Sequence, residues 1–403
     1  MRILFVCHRF PYPPARGGKI RPFNMIRHLA RKHEVVVASL ARSAAEAAAG
    51  RGIADHCADF MMGRVNAAGA WGRMIARLPT PGPSSMGYFY APELARRLRE
   101  RLRQESFDLI LAHCSSVAPY VAGVRGIPKI LDFGDMDSQK WLVYRRFKPF
   151  PLSLGYWLEG SKMEAAEKAL ARQFDLCTCT TRAELETLRK YQVPTPSDWF
   201  PNGVDCDYFT PGNEPYDPDS LCFVGRMDYF PNQQAATFFC DEVFPLIHQR
   251  RPTARFAIIG AEPSRAIRRL GQRPGITVTG TVPDVRDPVR RAAASVAPLA
   301  IARGTQNKIL ECMAMGVPVV ASWQAAGGVD AVPGEHILVA RSAEDYAEKL
   351  LRLMDDGAAR RALANAGRAR VETNHSWARS MARLDRLIDD CLQRRGSAEQ
   401  RLA

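Results

Sequence analysis

The stretch Ala302-Arg303-Gly304-Thr305-Gln306-Asn307-Lys308-Ile309-Leu310-Glu311-Cys312-Met313-Ala314-Met315-Gly316-Val317-Pro318-Val319-Val320-Ala321-Ser322 outlines a structural unit. The apolar run Ser295–Pro298 before it predicts a strand. Gly304 marks a turn. Residues Gln306–Met315 place apolar side chains at helical spacing, Gly316 stops that helix, and Val317–Ala321 predicts the next strand. Continuous apolar strands joined by a helix predict a parallel sheet covered on both faces.

The same order extends outward. Ile337–Val339 predicts a further strand, and the chain beyond Ala343 reads as helical almost to its end. Upstream, Leu221–Val224, Arg255–Ile259 and Ile276–Thr279 predict strands, with helices over Asn232–His248, Ser264–Leu270 and Asp284–Ala293. Between Pro194 and Ser220 the pattern breaks on six prolines, which marks a domain boundary. Before it the alternation runs once more: strands at Ile3–Cys7, Val35–Leu40, Leu109–Ala112, Lys129–Phe133 and Leu176–Thr180, helices at Lys19–Lys32, Met163–Phe174 and Arg182–Lys190. The expected fold is α/β, with two Rossmann-like domains facing across a cleft. They span residues 1–200 and 201–375, and 376–403 forms a helix returning to the first domain. A chain of 403 residues suits two cores better than one.

Apolar residues make up 46% and charged residues 24% of the chain, an ordinary globular balance that argues against extensive disorder. The 56 basic and 42 acidic residues give a net charge of +14. That excess fits a solvated basic surface or an anionic partner: a phosphate ligand, an acidic membrane or nucleic acid. The ten cysteines form no C-x-x-C pair. They read as reduced, packed thiols of a cytoplasmic protein rather than a disulfide or zinc framework. No apolar run nears the roughly 18 residues needed to cross a bilayer. The start, Met1–Val6, reaches Cys7, His8 and Arg9 too early for a leader and reads as a buried strand.

The helix predicted after Gly304 offers unpaired amides and a positive dipole end to an anion. Gly304 allows close backbone approach, and Thr305 can cap the helix or donate to a phosphate oxygen. Lys308 and Glu311 share one helix face. Lys308 suits a phosphate, and the Glu311 carboxylate suits two sugar hydroxyls. An i,i+3 surface salt bridge is the plainer alternative. After the first strand, Arg16, Gly17, Gly18 and Lys19 form either a flexible turn or an anion contact. Three D-x-D pairs (Asp135/Asp137, Asp205/Asp207, Asp217/Asp219) show how little that pattern discriminates, and no essential metal is expected. Neither a complete G-x-G-x-x-G nor a Walker A motif is present.

Gly304 to Ser322 resembles the donor-site signature of glycosyltransferase family 4. The ordered set agrees: Arg16-Gly17-Gly18 after the first strand; Pro201-Asn202-Gly203-Val204-Asp205 with Phe209 and Pro211; Phe223-Val224-Gly225-Arg226; then Gly260 and Gly280. Leu131–Trp141, Met227–Asn232 and Ala302–Lys308 are similar to sugar transferases associated with exosortase and PEP-CTERM exopolysaccharide systems. The resemblance implies a glycosyltransferase-B arrangement and donor binding by Gly17, Gly18, Gly225, Arg226, Gly260, Arg303, Gly304, Thr305, Gln306, Asn307, Lys308 and Glu311.

Three departures stand out. Arg303 occupies the first of the family's two glutamate positions, and Glu311 the second. No Lys follows Arg226, although Asn232 stands nearby and Lys308 can supply the charge. The family's catalytic-region His aligns with Gly134, leaving Asp135 and His113 as candidates beside Arg226 and Lys308 for the reacting centre. A lone His at a strand end can equally be structural.

The resemblance implies retaining transfer of a sugar from a nucleoside-diphosphate sugar to a saccharide, without a further cofactor. The acceptor expected is lipid-linked, on a polyprenyl diphosphate. The segment Tyr144–Phe150 mixes aromatics with cations ahead of Pro151–Trp157, as suits an anionic membrane surface at the inner face of the cell membrane. The Arg-rich run Arg96–Arg103 reads as a solvated amphipathic helix. A sugar-nucleotide epimerase of the same fold and a noncatalytic nucleic-acid-binding protein are the alternatives. The second lacks a recognition helix or aromatic RNA signature, so no nucleic acid is expected.

Overall fold

The computed structural model describes residues 1–14 and 17–402, with side chains described to residue 397. Arg16 therefore lies outside the described residues. The chain divides into two compact units, Met1–Pro201 with Ser380–Ala403, and Asn202–Arg379.

Among the described residues, the first unit holds a seven-stranded sheet in the order β3-β2-β1-β4-β5-β6-β7. Its strands are β1 (Arg2–Cys7), β2 (Glu34–Ala41), β3 (Asp59–Arg64), β4 (Leu109–His113), β5 (Lys129–Gly134), β6 (Leu176–Cys179) and β7 (Ser197–Trp199), all pairing in parallel. The middle strands β1 and β4 are buried along nearly their whole length, which explains their unbroken apolar sequences. The edge strands β3 and β7 escaped sequence reading. Strand β3 is buried only at alternate positions and so lacks a continuous apolar run, while β7 has three residues in the proline-rich segment, where an edge position tolerates poor strand formers.

The second unit repeats the design in the order β10-β9-β8-β11-β12-β13, again parallel. These strands are β8 (Asp217–Val224), β9 (Arg255–Ile259), β10 (Ile276–Gly280), β11 (Ala292–Ala297), β12 (Val319–Ser322) and β13 (Leu338–Ala340). Strand β11 begins at Ala292, inside the helix expected over Asp284–Ala293, and the helix there is only Arg286–Arg290. Wedged between β8 and β12, the small side chains of Ala292–Ala294 are fully buried. Tertiary packing overrides the helix preference of alanine at this point.

In both sheets the winding reverses between two neighbouring strands, β1/β4 and β8/β11. The loops leaving their carboxyl ends diverge and open a crevice there. Helices Gly17–Leu29 and Asn307–Ala314 start at these two places. The final helix, Trp377–Leu402, buries Met381, Leu384, Leu387, Ile388 and Cys391. Arg383 pairs with Asp198, and Arg395 with Asp175, fixing it to the first unit. Among the described residues, no helix is long and apolar enough to cross a membrane.

Candidate active site

In the second unit β8 delivers Phe223, Gly225 and Arg226, while the loop and helix after β11 deliver Arg303 to Glu311. Lys308 Nζ donates to Asn232 Oδ1 at 2.6 Å and stands 4.5 Å from the centre of the Phe223 ring. Asn232 is fixed in turn, because its Nδ2 donates to the Arg226 carbonyl at 2.8 Å. Gly225 makes this arrangement possible. A Cβ there would lie 2.6 Å from Asn232 Nδ2 and 2.9 Å from Lys308 Nζ. Gly260 has φ +146, and its Cβ would stand 1.9 Å from the Gly225 carbonyl oxygen. Two bare backbones thus form the floor beneath an ammonium group.

Among the described residues, no ion pair joins Lys308 to Glu311, so the surface salt bridge that their spacing permits is not formed. Burial pushes the Lys308 ammonium down to about 7 and the Glu311 carboxyl up to about 7. Each keeps a partly exposed edge, so both protonation states remain reachable from solvent. A diphosphate beside Lys308 would restore its charge, and sugar hydroxyls beside Glu311 would favour the carboxylate.

Gly304 has φ +62, the left-handed region where glycine is preferred. A Cβ on Gly328 would come within 2.0 Å of the Gly304 carbonyl oxygen, so that turn is closely covered. Gln306 is the residue at the helix cap but makes no side-chain cap bond; its Nε2 donates to the Arg303 carbonyl at 3.1 Å. Thr305 does not cap the helix, and its buried Oγ1 has no hydrogen-bond partner among the described residues. Asn307 Oδ1 accepts from Asn202 Nδ2 at 3.3 Å. The Pro201–Asp205 turn therefore supports the helix start. His375 supports the turn: its Nε2 accepts from the Asp330 amide at 3.0 Å, which leaves Nδ1–H to donate to the Asn202 carbonyl at 3.2 Å.

Two expected cations are already occupied. Arg226 pairs with Asp228, Nε to Oδ1 at 3.1 Å, and also with Glu262. Its charge faces two carboxylates. Lys19 is buried and pairs with Glu46 at 2.8 Å, so it does not serve the glycine turn as an anion contact. Gly17 and Gly18 begin the first helix of the chain. Among the described residues, nothing lies within 4 Å of a Cβ on Gly17, whereas one on Gly18 would touch the Arg9 side chain at 3.4 Å.

The first unit gathers an imidazole at the end of β4. His113 Nδ1 lies 2.7 Å from Asp132 Oδ2. Asp132, fully buried, also receives Arg21 at both oxygens, 2.8 and 2.9 Å, and Thr178 Oγ1 at 2.9 Å. Arg21 and these donors hold the Asp132 carboxyl far below the usual range despite its burial. Arg21 is locked as well: Nη1 donates to the Phe200 carbonyl at 3.0 Å and the guanidinium lies 3.6 Å from that ring's centre. A carboxylate bound at Nδ1 fixes the tautomer and leaves Nε2 as the nitrogen that can accept a proton. Gly134, where the resemblance places the family's His, carries no side chain; a Cβ there would touch His113 Cε1 at 3.4 Å. An imidazole from β4 therefore lies against the β5 position that lacks one. Asp135 is exposed and accepts from Thr180 Oγ1 at 2.7 Å, while Asp137 accepts from Ser115 Oγ at 2.8 Å. The D-x-D carboxylates thus engage separate partners.

Asp132 and Arg21 were not singled out by sequence reading. The signal was present in part: Asp132 is a charge within the otherwise apolar run Ile130–Phe133. Its partners come from 111 and 19 residues away, distances that local patterns do not cover.

Residues 16–208 match the family model described as Glycosyltransferase Family 4, and residues 218–356 that of Glycosyl transferases group 1. The chain is a glycosyltransferase. Among solved structures the transferase is similar to HepE of Anabaena in complex with UDP, at 14% identity over 97% of this chain and 100% of that one, with TM-score 0.69. It is also similar to sucrose-phosphate synthase from Thermosynechococcus elongatus, at 16% identity over 97% and 99%, TM-score 0.70. A UDP-forming α,α-trehalose-phosphate synthase from Burkholderia vietnamiensis matches at 12% identity over 97% and 99%, TM-score 0.64. At these identities the likeness speaks to the fold. No curated protein matches the transferase in sequence.

Proposed function

We propose that the transferase moves a sugar from a nucleoside-diphosphate sugar to a lipid-linked saccharide, with retention of configuration, in exopolysaccharide assembly of the exosortase-associated kind. The observation that carries the donor half is the Lys308–Asn232 pair over the bare backbones of Gly225 and Gly260. A diphosphate fits this floor because it brings negative charge to a desolvated ammonium and to the amides of a helix start. Thr305 Oγ1 adds an unpaired hydroxyl. Glu311, one turn further along the helix, suits the ribose hydroxyls. The UDP and UDP-glucose complexes of HepE supply the analogy for a nucleotide sugar.

The barrier in such a transfer is departure of the diphosphate. Charge developing on the leaving oxygen is stabilised by Lys308 and the helix amides, already oriented before reaction. In the retaining route a donor phosphate oxygen takes the acceptor proton, so no pair of carboxylates at glycosidase spacing is required. His113, oriented by Asp132, is assigned to hydrogen-bond a substrate hydroxyl. Arg226 contributes charge to the diphosphate only after yielding Asp228 or Glu262.

The acceptor half rests on the aromatic and basic segment around Tyr144–Trp157 and on the subgroup resemblance. The test is transfer with Lys308→Ala and Glu311→Gln, each checked for an unchanged melting temperature. Donor-dependent transfer should fall at least about a hundredfold in Lys308→Ala, the scale of losing one stabilising group at the reacting phosphate, and at least about tenfold in Glu311→Gln, the scale of losing charged hydrogen bonds to the ribose. Full activity in both variants would remove this site from consideration. Product anomers read by NMR settle retention against inversion.

A further inference from the structure

Helix Leu152–Ala171 is apolar on two opposite faces. One face, with Gly160, Met163 and Leu170, is buried in the first unit. Leu154, Trp157 and Leu158 form the other at spacings of three and four residues, and each is more than 40% exposed. Phe150 and Leu152, at 81% and 58%, continue the apolar surface at the helix start.

A second exposed stripe stands beside it. Helix Ala67–Arg77 presents Trp71 and Ile75, and Leu78 follows one turn later, at 59%, 61% and 61% exposure. The two stripes are tied together. Lys162, one turn past Leu158, donates from Nζ to the Leu78 carbonyl at 2.7 Å. Glu159 accepts from the amides of Ser84 and Ser85 at 3.0 and 2.8 Å. A monomer in water leaves such an area uncovered only at a cost, so the paired stripes mark a contact surface.

Charge identifies the partner. Residues 64–90 contain no Asp or Glu, and neither do residues 138–158. The first segment carries Arg64, Arg73 and Arg77; the second carries Lys140, Arg145, Arg146 and Lys148. Arg145 and Arg146 are exposed. Tryptophan and leucine beside cations, with the adjoining acid Glu159 buried against the Ser84 and Ser85 amides, are the chemistry of the headgroup boundary of an anionic bilayer.

We propose that Trp71, Ile75, Leu78, Leu154, Trp157 and Leu158 form a two-helix platform that seats the first unit on an anionic lipid bilayer. Vesicle binding is read without donor or acceptor, so its failure leaves the proposed donor site standing and removes only the support that this segment lends to a lipid-linked acceptor.

The full chain is sedimented with phosphatidylcholine vesicles, with and without phosphatidylglycerol, across a salt series. Binding should need the anionic lipid and weaken with salt, and tryptophan emission should shift to the blue. Trp157→Ser with Leu154→Ser, and separately Trp71→Ser with Leu78→Ser, should each lower partitioning about tenfold or more. Arg145→Gln and Arg146→Gln should each cost about fivefold at low salt. Melting temperatures of the variants should stay near that of the parent, because the replaced side chains are exposed. Absence of vesicle binding overturns the proposal. So do equal binding to neutral vesicles, and a dimer in solution that the stripe variants dissolve.

Discussion

Lys308 and Glu311 are one residue pair with opposite pKa displacements, and their chemistry converges near neutrality. Lys308, with its ordinary value depressed to about 7, carries its proton below that pH and loses it above. Donor diphosphate needs the ammonium, so affinity falls as pH rises through about 7. Glu311, raised to about 7, is a carboxylate only above that pH. Accepting two ribose hydroxyls needs the carboxylate, so affinity also falls as pH drops through the same region. The expected profile of nucleotide-sugar affinity is a bell centred near 7, measured by calorimetry with the donor that a thermal-shift screen selects. Lys308→Arg should carry the alkaline limb out of range, and Glu311→Gln should remove the acid limb. A flat profile between pH 5 and pH 9 would contradict the assignment. Sequence alone showed these two on one helix face. It did not show Asn232 beneath Lys308, or Arg226 engaged by Asp228 and Glu262, because those pairings depend on loops that meet only in the folded sheet.

The glycine elements at the ends of β8 and β9 separate function from folding. Gly225→Ala places a methyl at 2.6 and 2.9 Å from side-chain tips of Asn232 and Lys308, groups that can shift. This variant should fold, lose about 1–3 kcal/mol, and bind donor at least tenfold more weakly. Gly260→Ala places the methyl 1.9 Å from a main-chain oxygen and at a φ of +146, where neither partner can yield cheaply. It should be destabilised by about 3 kcal/mol or more. Urea melts and donor titrations on both variants check the contrast, which fails if Gly260→Ala is as stable as the parent. The strand–turn–helix order around these glycines was legible in the sequence, since local apolar periodicity and glycine punctuation encode it. The edge strands β3 and β7 and the early start of β11 were not, because a neighbouring strand rather than local propensity places them.

Across the whole molecule, the chain returns to its first unit at the end. Met381, Leu384, Leu387, Ile388 and Cys391 are buried there, and the Asp385 carboxylate lies 2.9 Å from His28 Nε2. Each buried large apolar side chain contributes about 1.5–3 kcal/mol, so four of them match much of the roughly 5–15 kcal/mol that stabilises a domain. A chain ending at Arg379 should therefore be insoluble or melt far below the parent. Equal melting temperatures would refute that. Local sequence determined the two runs of alternating strands and helices, the proline-rich break between them, and the Lys308/Glu311 face, because each is set by residues within a few turns of one another. Tertiary structure alone decided which charges are available. It neutralised Arg226, buried Lys19, and laid the His113 ring against the bare Gly134 position with Asp132 and Arg21 behind it. The physical reason is that desolvation and charge pairing act through space, and Arg21, on the helix after β1, lies 111 residues from Asp132 in the chain.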